Sequence, residues 1–428
     1  MSGKISKVNL FAGVTVALIS AILMKPNSSA SYDPSYEQSL LTDWSQPPPW
    51  PVFIAVNVIA SGLRNLADAL TPPPVRMIDI GFDMFNPSLA YICSKFEIAE
   101  FLSTGPKTVK EIAEFTNTKN VVQMERVMYA MASIGITKVT NIDGEPKFVN
   151  TALSATLRES HPQSTKGMIG HIFEDAFQPA THLPNAIGPE PSIPWDAVNP
   201  KPYKGSRGIW KLYNDIPSRE EQFGRAMMAI EGLGGEAMSQ DVPFHRFDRM
   251  IDIGGSMGHF LYKNLKNNPT KKGVLFDLPA VIDNALQYWS VEEGLYHDGT
   301  EKRLEMVTGS FLEDNQIPVA QDNDVYYMRY ILHDWNKEDC VTILNNIKTA
   351  MKGKKATLMI GECAIPDRDN VGIPAMHKID MQMMNIFGEA LERTPQMWKQ
   401  LLNETGFDMV AIHPTRSLVH FVEAVPRD

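Results

Sequence analysis

Residues 250–260 read MIDIGGSMGHF, an apolar run typical of a buried strand, followed by a glycine-rich turn and the start of a helix. Glycine has no Cβ, so Gly254, Gly255 and Gly258 let the backbone approach a ligand closely. A second candidate strand further along the chain ends in Asp277. An acid in that place is positioned to accept hydrogen bonds from two ribose hydroxyls. These residues predict a nucleoside-binding α/β domain.

The turn also indicates which nucleoside is bound. A dinucleotide fingerprint reads Gly-x-Gly-x-x-Gly, and its helix N-terminus faces a pyrophosphate. Here the turn reads Gly-Gly-x-x-Gly and follows Asp252. A carboxylate suits a cationic ligand better than a diphosphate. We therefore expect S-adenosylmethionine, which carries an ammonium and a sulfonium, rather than NAD.

Strand-like and helix-like segments alternate from about residue 206 onward. This alternation predicts a mostly parallel sheet covered by helices on both faces. The last two strands predict a hairpin at the end of the sheet. The candidate strands are residues 250–253, 273–276, 304–307, 325–328, 357–361, 409–412 and 418–424.

A smaller module precedes this domain. Thr108 and Glu111 form a capping-box pattern at the start of a short helix. A methionine-rich helix follows, and residues 137–149 then alternate around Asp143-Gly144, which predicts a hairpin. Two helices and a hairpin are the order of a winged helix. The second helix is not basic, so we interpret the module as a dimerisation element rather than a DNA-binding one.

The first 51 residues differ in composition from the rest. Residues 8–24 carry no charge and follow Lys4 and Lys7, which is typical of a signal peptide or a short membrane anchor. The segment is short for a bilayer span, so we favour a packing helix and keep membrane contact as the alternative. A proline-rich linker leads to Pro51. The predicted domains are 1–51 (apolar helix and linker), 52–200 (helical winged-helix dimerisation domain) and 201–428 (catalytic domain).

Composition excludes some functions. A net charge of −10 without a cluster of lysine and arginine argues against a nucleic-acid partner. Cys93, Cys340 and Cys363 have neither a disulfide pattern nor a metal-ligand spacing. We therefore expect no metal and a cytoplasmic location, with an N-terminal anchor or signal as the alternative.

A second motif, YILHDW at residues 330–335, follows the candidate strand 325–328. In an open parallel sheet, ligands bind beyond the carboxyl ends of the strands, so His333 lies at the functional edge. The competing interpretation is a histidine that caps the next helix. Glu362 and Glu392 lie near later strand ends or in loops, where each alone is more often a surface charge.

Together these motifs resemble the small-molecule O-methyltransferases of the plant caffeate type, and in particular the fungal branch that methylates aromatic polyketides. The resemblance covers roughly residues 85–425. It is densest at residues 252–258, 276–279, 331–335, 362–366 and 392–394.

The resemblance implies a Rossmann-like domain that binds S-adenosylmethionine, an N-terminal winged-helix domain, and a homodimer. Gly254 would contact the methionine end of the cofactor, and Asp277 with Leu278 would hold the ribose and adenine. His333 would be the general base that removes a proton from a small-molecule hydroxyl, and two glutamates would orient it. Those glutamates are Glu362 and Glu392.

Several positions depart from the family pattern. Ser310 and Phe311 stand where an acid usually follows the third strand, and Arg329 replaces a lysine. Lys337 replaces an acid and lies four residues after His333, on the same face if a helix has begun. It is either a solvated lysine or a pocket cation. The candidate substrate-contacting residues are Phe173, Phe177, Asp334 and Met384, with Trp210 as a further wall.

Three functions compete. The first is methyl transfer to a small aromatic or polyketide-type metabolite. The second is pericyclase or dehydratase chemistry, in which the bound cofactor and Lys337 polarise a polyketide or pyridone. The third is a non-enzymatic scaffold. The family-like base and glutamates favour the first.

Overall fold

We analysed a computed structural model of the chain, which describes residues 35–41, 45–290, 298–363, 365–367 and 373–427. The predicted helix at residues 8–24 lies outside the described residues. The chain divides into two compact units, Met1–Thr42 with Ile92–Arg158, and Asp43–Tyr91 with Glu159–Asp428. The predicted domain boundaries at residues 51 and 200 stay a prediction.

The first unit has the predicted order of helices and hairpin. Thr108 and Glu111 form the capping box, in which the Thr108 backbone N–H donates to Glu111 Oε2 at 2.7 Å. Asp143 and Gly144 both have positive φ, as the tight hairpin turn requires. The helices are Ser35–Ser39, Ile98–Leu102, Val109–Phe115, Val121–Ser133 and Ala152–Ala155, and the strands are β1 (Thr137–Ile142) and β2 (Glu145–Asn150).

The second unit contains a seven-stranded sheet in the order β5-β4-β3-β6-β7-β9-β8. The pairs from β5 to β7 are parallel, and β9 runs antiparallel to both β7 and β8. The strands are β3 (Arg249–Ile253), β4 (Lys272–Asp277), β5 (Leu304–Thr308), β6 (Asp324–Arg329), β7 (Thr357–Cys363), β8 (Phe407–His413) and β9 (Val419–Pro426). All seven predicted strands and the closing hairpin are confirmed.

Alternate residues of these strands enter two separate cores. Ile251 and Ile253 pack into one, with Val274 of the neighbouring strand. Met250 and Leu275 pack into the other. A sheet with helices on both faces requires this burial on both sides, so the predicted fold class is confirmed.

Helices surround the sheet and form a third cluster around Trp195. The α-helices of this unit include Lys166–His171, Gln178–Ala180, Pro194–Val198, Gly208–Asp215, Pro217–Asp241, His259–Asn267, Pro279–Ser290, Lys337–Ala350, Pro374–Phe387 and Pro395–Glu404, and Phe85–Lys95 crosses the boundary between the units. Ile172–Phe177 is a π-helical turn, and Leu332–Asp334 is a 3₁₀ turn.

The order of strands locates the ligand crevice. The chain proceeds outward from β3 to β4 and β5, then returns to place β6 on the other side of β3. The loops after β3 and β6 therefore leave in opposite directions and open a crevice between them. The glycine turn follows β3 and the His333 turn follows β6, so both motifs lie at this switch point.

Two further helices of this unit, Trp50–Leu70 and Pro73–Phe82, have no buried residue. Arg76 pairs with Asp68 at 3.0 Å and joins the polar stripes of the two helices. Their apolar side chains face outward. Among the described residues, Trp50–Leu70 is the one helix long and apolar enough to cross a membrane.

Candidate active site

The turn after β3 has a backbone that demands glycine at two positions. Gly254 has a φ of +70°, a left-handed conformation that residues with a Cβ rarely adopt. A Cβ on Gly255 would come within 2.6 Å of the Asp252 carboxylate and 2.4 Å of the Leu275 side chain. The side chains of Asp252 and Leu275 therefore leave no room for a Cβ on Gly255, while the close approach of a ligand stays a prediction. Gly258 ends the turn just before helix His259–Asn267.

Asp277 ties this turn to β4. Its Oδ2 accepts a hydrogen bond from the Ser256 backbone N–H at 2.8 Å, and its Oδ1 accepts from the Leu278 N–H at 2.7 Å. Burial raises the pKa of Asp277 to about 6. Each carboxylate oxygen can accept more than one hydrogen bond, so both can still receive a hydroxyl. The side chain thus fits a ribose, and Leu278 beside it is 52% exposed.

The loop after β5 lies against the same crevice. The Gly309 backbone N–H donates to the Asp277 carbonyl at 3.0 Å. The Phe311 ring lies 3.4 Å from the position of a Cβ on Gly254 and edge-on to Trp335. The Ser310 hydroxyl accepts the Leu312 N–H. The fold therefore brings Phe311 to the glycine turn, with Ser310 beside it in the chain, and their role in cofactor binding stays a prediction.

Asp252 and Arg329 belong to a buried charged network that the sequence did not reveal. Burial raises the pKa of Asp252 to about 7, so a nearby cation would favour its ionised form. Arg329 is not an unpaired cation, because its Nη2 lies 2.8 Å from Glu231 Oε2. Lys263 Nζ lies 3.0 Å from the other oxygen of Glu231. No local motif marks Glu231, which comes from the helix Pro217–Asp241.

His333 lies in the 3₁₀ turn after β6 and is 6% exposed. Its Nδ1 lies 2.6 Å from Glu392 Oε1 and 3.6 Å from Glu362 Oε2. Its Nε2 lies 3.5 Å from Asp334 Oδ1. The fold thus brings together His333, both predicted glutamates and Asp334, although 59 residues separate His333 from Glu392.

These acids decide the protonation of the imidazole. Burial alone lowers the pKa of His333, but the charges of Glu362, Glu392 and Asp334 outweigh it and raise the pKa to about 10. In turn, burial raises the pKa of Glu362, and the neighbouring His333 opposes that shift. The site therefore stabilises an imidazolium strongly.

The turn around His333 is held from two sides. Glu362 Oε1 accepts the backbone N–H groups of Ile331 at 3.1 Å and Leu332 at 2.9 Å. From the other side, Arg393 Nη1 donates to the Leu332 carbonyl at 2.9 Å. Glu362 therefore positions the turn as well as the imidazole. Arg393 directly follows Glu392 in the chain, but no local motif marks it as a site residue.

Lys337 does not join this cluster. The helix begins at Lys337 itself, so the four-residue spacing from His333 does not place the two side chains on one helical face. The Lys337 side chain is 64% exposed, and its Nζ lies 2.9 Å from Glu404 Oε2. Its position is that of a solvated surface lysine rather than a pocket cation.

The candidate aromatic walls form a stack. Phe173 lies between Tyr91 and Phe177, with ring centroids 4.0 and 5.2 Å apart. Both phenylalanines belong to the π-helical turn, which packs on helix Pro374–Phe387, the helix that carries Met384. Trp210 stacks on Phe387 at 5.6 Å. The same helix also packs on the turn of His333, so these walls belong to its neighbourhood.

The donor atoms of His333, Glu362 and Glu392 lie within 4.8 Å of one another, a spacing that a metal ion could use. The Nδ1 of His333 already forms a hydrogen bond of 2.6 Å to Glu392. A metal on Nδ1 would have to replace this bond. The arrangement supports proton transfer more directly than metal binding.

Comparisons with known proteins agree with this geometry. A family model described as an O-methyltransferase domain matches residues 195–408, half of the chain. A phenazine O-methyltransferase of Lysobacter antibioticus, PhzM, is 29% identical over 348 residues, 78% of this chain and 91% of its own. The O-methyltransferase gedA of Aspergillus terreus is 25% identical over 436 residues, 88% of this chain and 87% of its own.

Solved structures show the same fold. The crystal structure of LaPhzM aligns with a TM-score of 0.73 at 25% identity, over 83% of this chain and all of its own. Human N-acetylserotonin methyltransferase, in complex with S-adenosylmethionine, aligns with a TM-score of 0.71 at 20% identity over 84% of this chain and 99% of its own. The chain belongs to the S-adenosylmethionine-dependent O-methyltransferases, an enzyme family with a class I cofactor-binding fold. Its cofactor is S-adenosylmethionine.

The His333 cluster makes the stability of the enzyme pH-dependent. The pKa of His333 is about 10 in the folded state against 6.5 for an ordinary histidine. Its contribution is therefore complete below about pH 6.5 and is lost as the pH rises toward 10. We expect wild type to lose at least about 1 kcal/mol of unfolding free energy relative to His333→Gln between pH 6.5 and 9.5. Urea denaturation at both pH values measures this change, with His182→Gln as the control, and parallel curves for wild type and His333→Gln would contradict it.

Proposed function

We propose that this enzyme methylates a hydroxyl of a small aromatic or polyketide-type metabolite, with His333 as the general base. The observation that carries the proposal is the buried hydrogen bond between His333 Nδ1 and Glu392 Oε1, which leaves Nε2 available for a proton. The names of the relatives support the substrate class, since one is a phenazine O-methyltransferase and another is a fungal O-methyltransferase.

The residues around the glycine turn fit the cofactor. Gly254, Gly255 and Gly258 would allow its close approach, and Asp277 would accept its ribose hydroxyls. Asp252 is a buried carboxylate whose charge a cationic ligand would favour. When bound, S-adenosylmethionine supplies an electrophilic methyl group on a sulfonium.

The protein must then orient a hydroxyl and take its proton. The surrounding acids favour the imidazolium of His333, and a cationic cofactor bound beside it would lower its pKa and favour the neutral ring that a base requires. In that neutral ring Glu392 accepts the Nδ1 proton, which leaves the lone pair on Nε2. A phenol has a pKa of about 10, which the raised pKa of His333 matches. The neutral imidazole can therefore take the proton of the hydroxyl, and Glu362 and Asp334 stabilise the resulting cation.

The alternative, pericyclase or dehydratase chemistry, relied on Lys337 as a cation beside the substrate. Lys337 is exposed and paired with Glu404, which removes the main argument for it. The alternative predicts a product that is isomerised or dehydrated. Methyl transfer predicts a product heavier by one CH₂ group.

His333→Ala should lower methyl transfer by roughly a hundredfold or more, because a positioned base contributes about 10²–10⁴-fold. Lys337→Ala should stay within about twofold of wild type, because a solvated surface charge contributes little. Mass spectrometry after incubation with hydroxylated naphthalenes and anthraquinones measures both. The mechanism is wrong if a folded His333→Ala enzyme turns over at the wild-type rate.

Asp277→Asn should weaken the binding of S-adenosylhomocysteine by about 10- to 100-fold, since a hydrogen bond to a charged acceptor contributes about 1.5–3 kcal/mol. Calorimetry on the full chain measures the affinity. Asp283→Asn, an exposed acid on the next helix, is the matched control and should bind as wild type does. Equal affinity in folded Asp277→Asn would argue against this ribose contact.

We also propose that the chain is a homodimer in which a second copy covers the helix Trp50–Leu70. This helix exposes a seam with alternating spacings of four and three residues, the pattern of helices that pair along a coiled-coil seam. The seam residues are Val52, Val56, Ile59, Leu63, Leu66 and Leu70, all of them exposed.

Charge favours a second protein chain over a bilayer. Helices that lie on membranes carry lysine and arginine on their polar face. Residues 50–83 contain two arginines, three aspartates and no lysine. The outward apolar side therefore suits another apolar helix.

The double variant Ile59→Glu, Leu63→Glu should convert the dimer into a monomer, because it would bury two negative charges in each helix's seam. The control is the double variant Asn57→Glu, Asn65→Glu, which adds the same charge on the polar stripe of the same helix. It should leave the dimer intact. Sedimentation of the full chain measures the mass. A monomeric wild type, or flotation of wild type with anionic vesicles in place of dimerisation, would contradict the proposal.

A further inference from the structure

A second histidine–aspartate pair is buried near the His333 cluster and has no role in the mechanism above. His171 Nδ1 lies 2.8 Å from Asp175 Oδ2, and both residues are buried. The Tyr213 hydroxyl donates to the same oxygen of Asp175 at 3.0 Å. Arg219 binds the other oxygen of Asp175. Tyr213 and Arg219 therefore hold the carboxylate of Asp175, and that carboxylate holds the imidazole of His171.

The bond to Asp175 decides what His171 can offer. Asp175 pairs with Arg219 and accepts hydrogen bonds, so the neutral His171 carries its proton on Nδ1. Its Nε2 is then an acceptor with a free lone pair. Within the described part of the chain, the polar contacts of His171 are all made through Nδ1. Burial and the Arg219 charge together lower the pKa of His171 to about 4, although the Asp334 charge opposes both. The ring is therefore neutral at neutral pH.

Three observations place His171 close to the reaction site. Asp334, whose carboxylate lies 3.5 Å from His333 Nε2, interacts electrostatically with both His171 and Tyr213. His171 directly precedes the π-helical turn, and helix Pro374–Phe387 packs on that turn and on the turn of His333. Its ring also meets the Phe223 ring edge-on at 5.5 Å, so an aromatic wall lies beside it.

The pair has the architecture of a binding subsite rather than of a packing contact. The polar contacts of His171 use Nδ1 and leave Nε2 to accept from a ligand. A ligand with a donor at that atom gains a hydrogen bond that a ligand without the donor lacks. The Asp175–Arg219–Tyr213 contacts hold the imidazole in one orientation and one tautomer. A small metabolite can present either hydroxyl or N–H donors. Because the proposed reaction methylates a hydroxyl, we favour a second hydroxyl as this donor.

We propose that His171 Nε2 accepts a hydrogen bond from a second hydroxyl of the substrate, so that the enzyme selects aromatic compounds with at least two hydroxyl groups. His333 takes the proton of the hydroxyl that is methylated, and His171 holds the other. Asp175, Tyr213 and Arg219 are positioning residues for His171. The inference rests on the proposed methyl transfer and defines its substrate class.

The test compares matched compounds that differ by one hydroxyl. The probes are 1,8-dihydroxynaphthalene against 1-naphthol, and 2,3-dihydroxynaphthalene against 2-naphthol. Calorimetry on the full chain saturated with S-adenosylhomocysteine measures their affinities. We expect wild type to bind at least one diol about tenfold or more tightly than its partner, which is the effect of one hydrogen bond.

Variants at position 171 separate recognition from folding. His171→Phe should reduce the preference to about twofold or less while its affinity for S-adenosylhomocysteine stays that of wild type. His171→Gln, which keeps an acceptor, should restore part of the preference. Circular dichroism identifies a variant that fails to fold. In that case the diol preference of the wild-type protein alone tests the inference.

Two results would overturn the inference. One is that the wild-type protein binds neither diol more tightly than its monohydroxyl partner. Failure of the wild-type protein to bind any of the four probes counts as the same result. The other is an undiminished preference in folded His171→Phe. Failure of the proposed function differs from both, since it would appear as an absence of methylated product while the diol preference persists.

Discussion

The hydrogen bond between His333 Nδ1 and Glu392 Oε1 is the contact on which the site depends. It lies in a buried region where a lone imidazolium would be unstable. Glu392 removes that penalty and fixes the proton on Nδ1, and Glu362 adds charge while it holds the backbone of the same turn. The switch in strand order between β3 and β6 then brings this imidazole to the crevice that the glycine turn lines.

Two buried ion pairs of this unit join segments that are distant in the chain. Glu231 neutralises Arg329 beside the glycine turn, and Arg219 neutralises Asp175 beside His171. An unpaired buried ion costs several kcal/mol, so these pairs constrain how the helices lie on the sheet. The two imidazoles of this unit have different surroundings: the acids around His333 favour its imidazolium, whereas burial and the Arg219 charge favour a neutral His171.

The helices Trp50–Leu70 and Pro73–Phe82 differ from the rest of this unit because they expose apolar side chains instead of burying charged ones. The Arg76–Asp68 pair joins the two helices, and their apolar side chains are exposed. Large continuous apolar surfaces on a folded protein mark sites of interaction. The heptad-like seam and the lack of lysine suit a helical protein partner.

The sequence alone determined the strands, the glycine turn, the capping box of Thr108 and the hairpin at Asp143-Gly144, because these features depend on residues close together in the chain. It also indicated His333, Glu362 and Glu392, but only through a resemblance that joined separate motifs. Only the tertiary structure decided that Lys337 faces solvent, since the 3₁₀ turn ends before the helix begins. It likewise decided that Glu231 pairs with Arg329, and that Asp175 holds His171 with Tyr213 and Arg219. The partners of a buried charge come from distant segments, and packing rather than local pattern selects them.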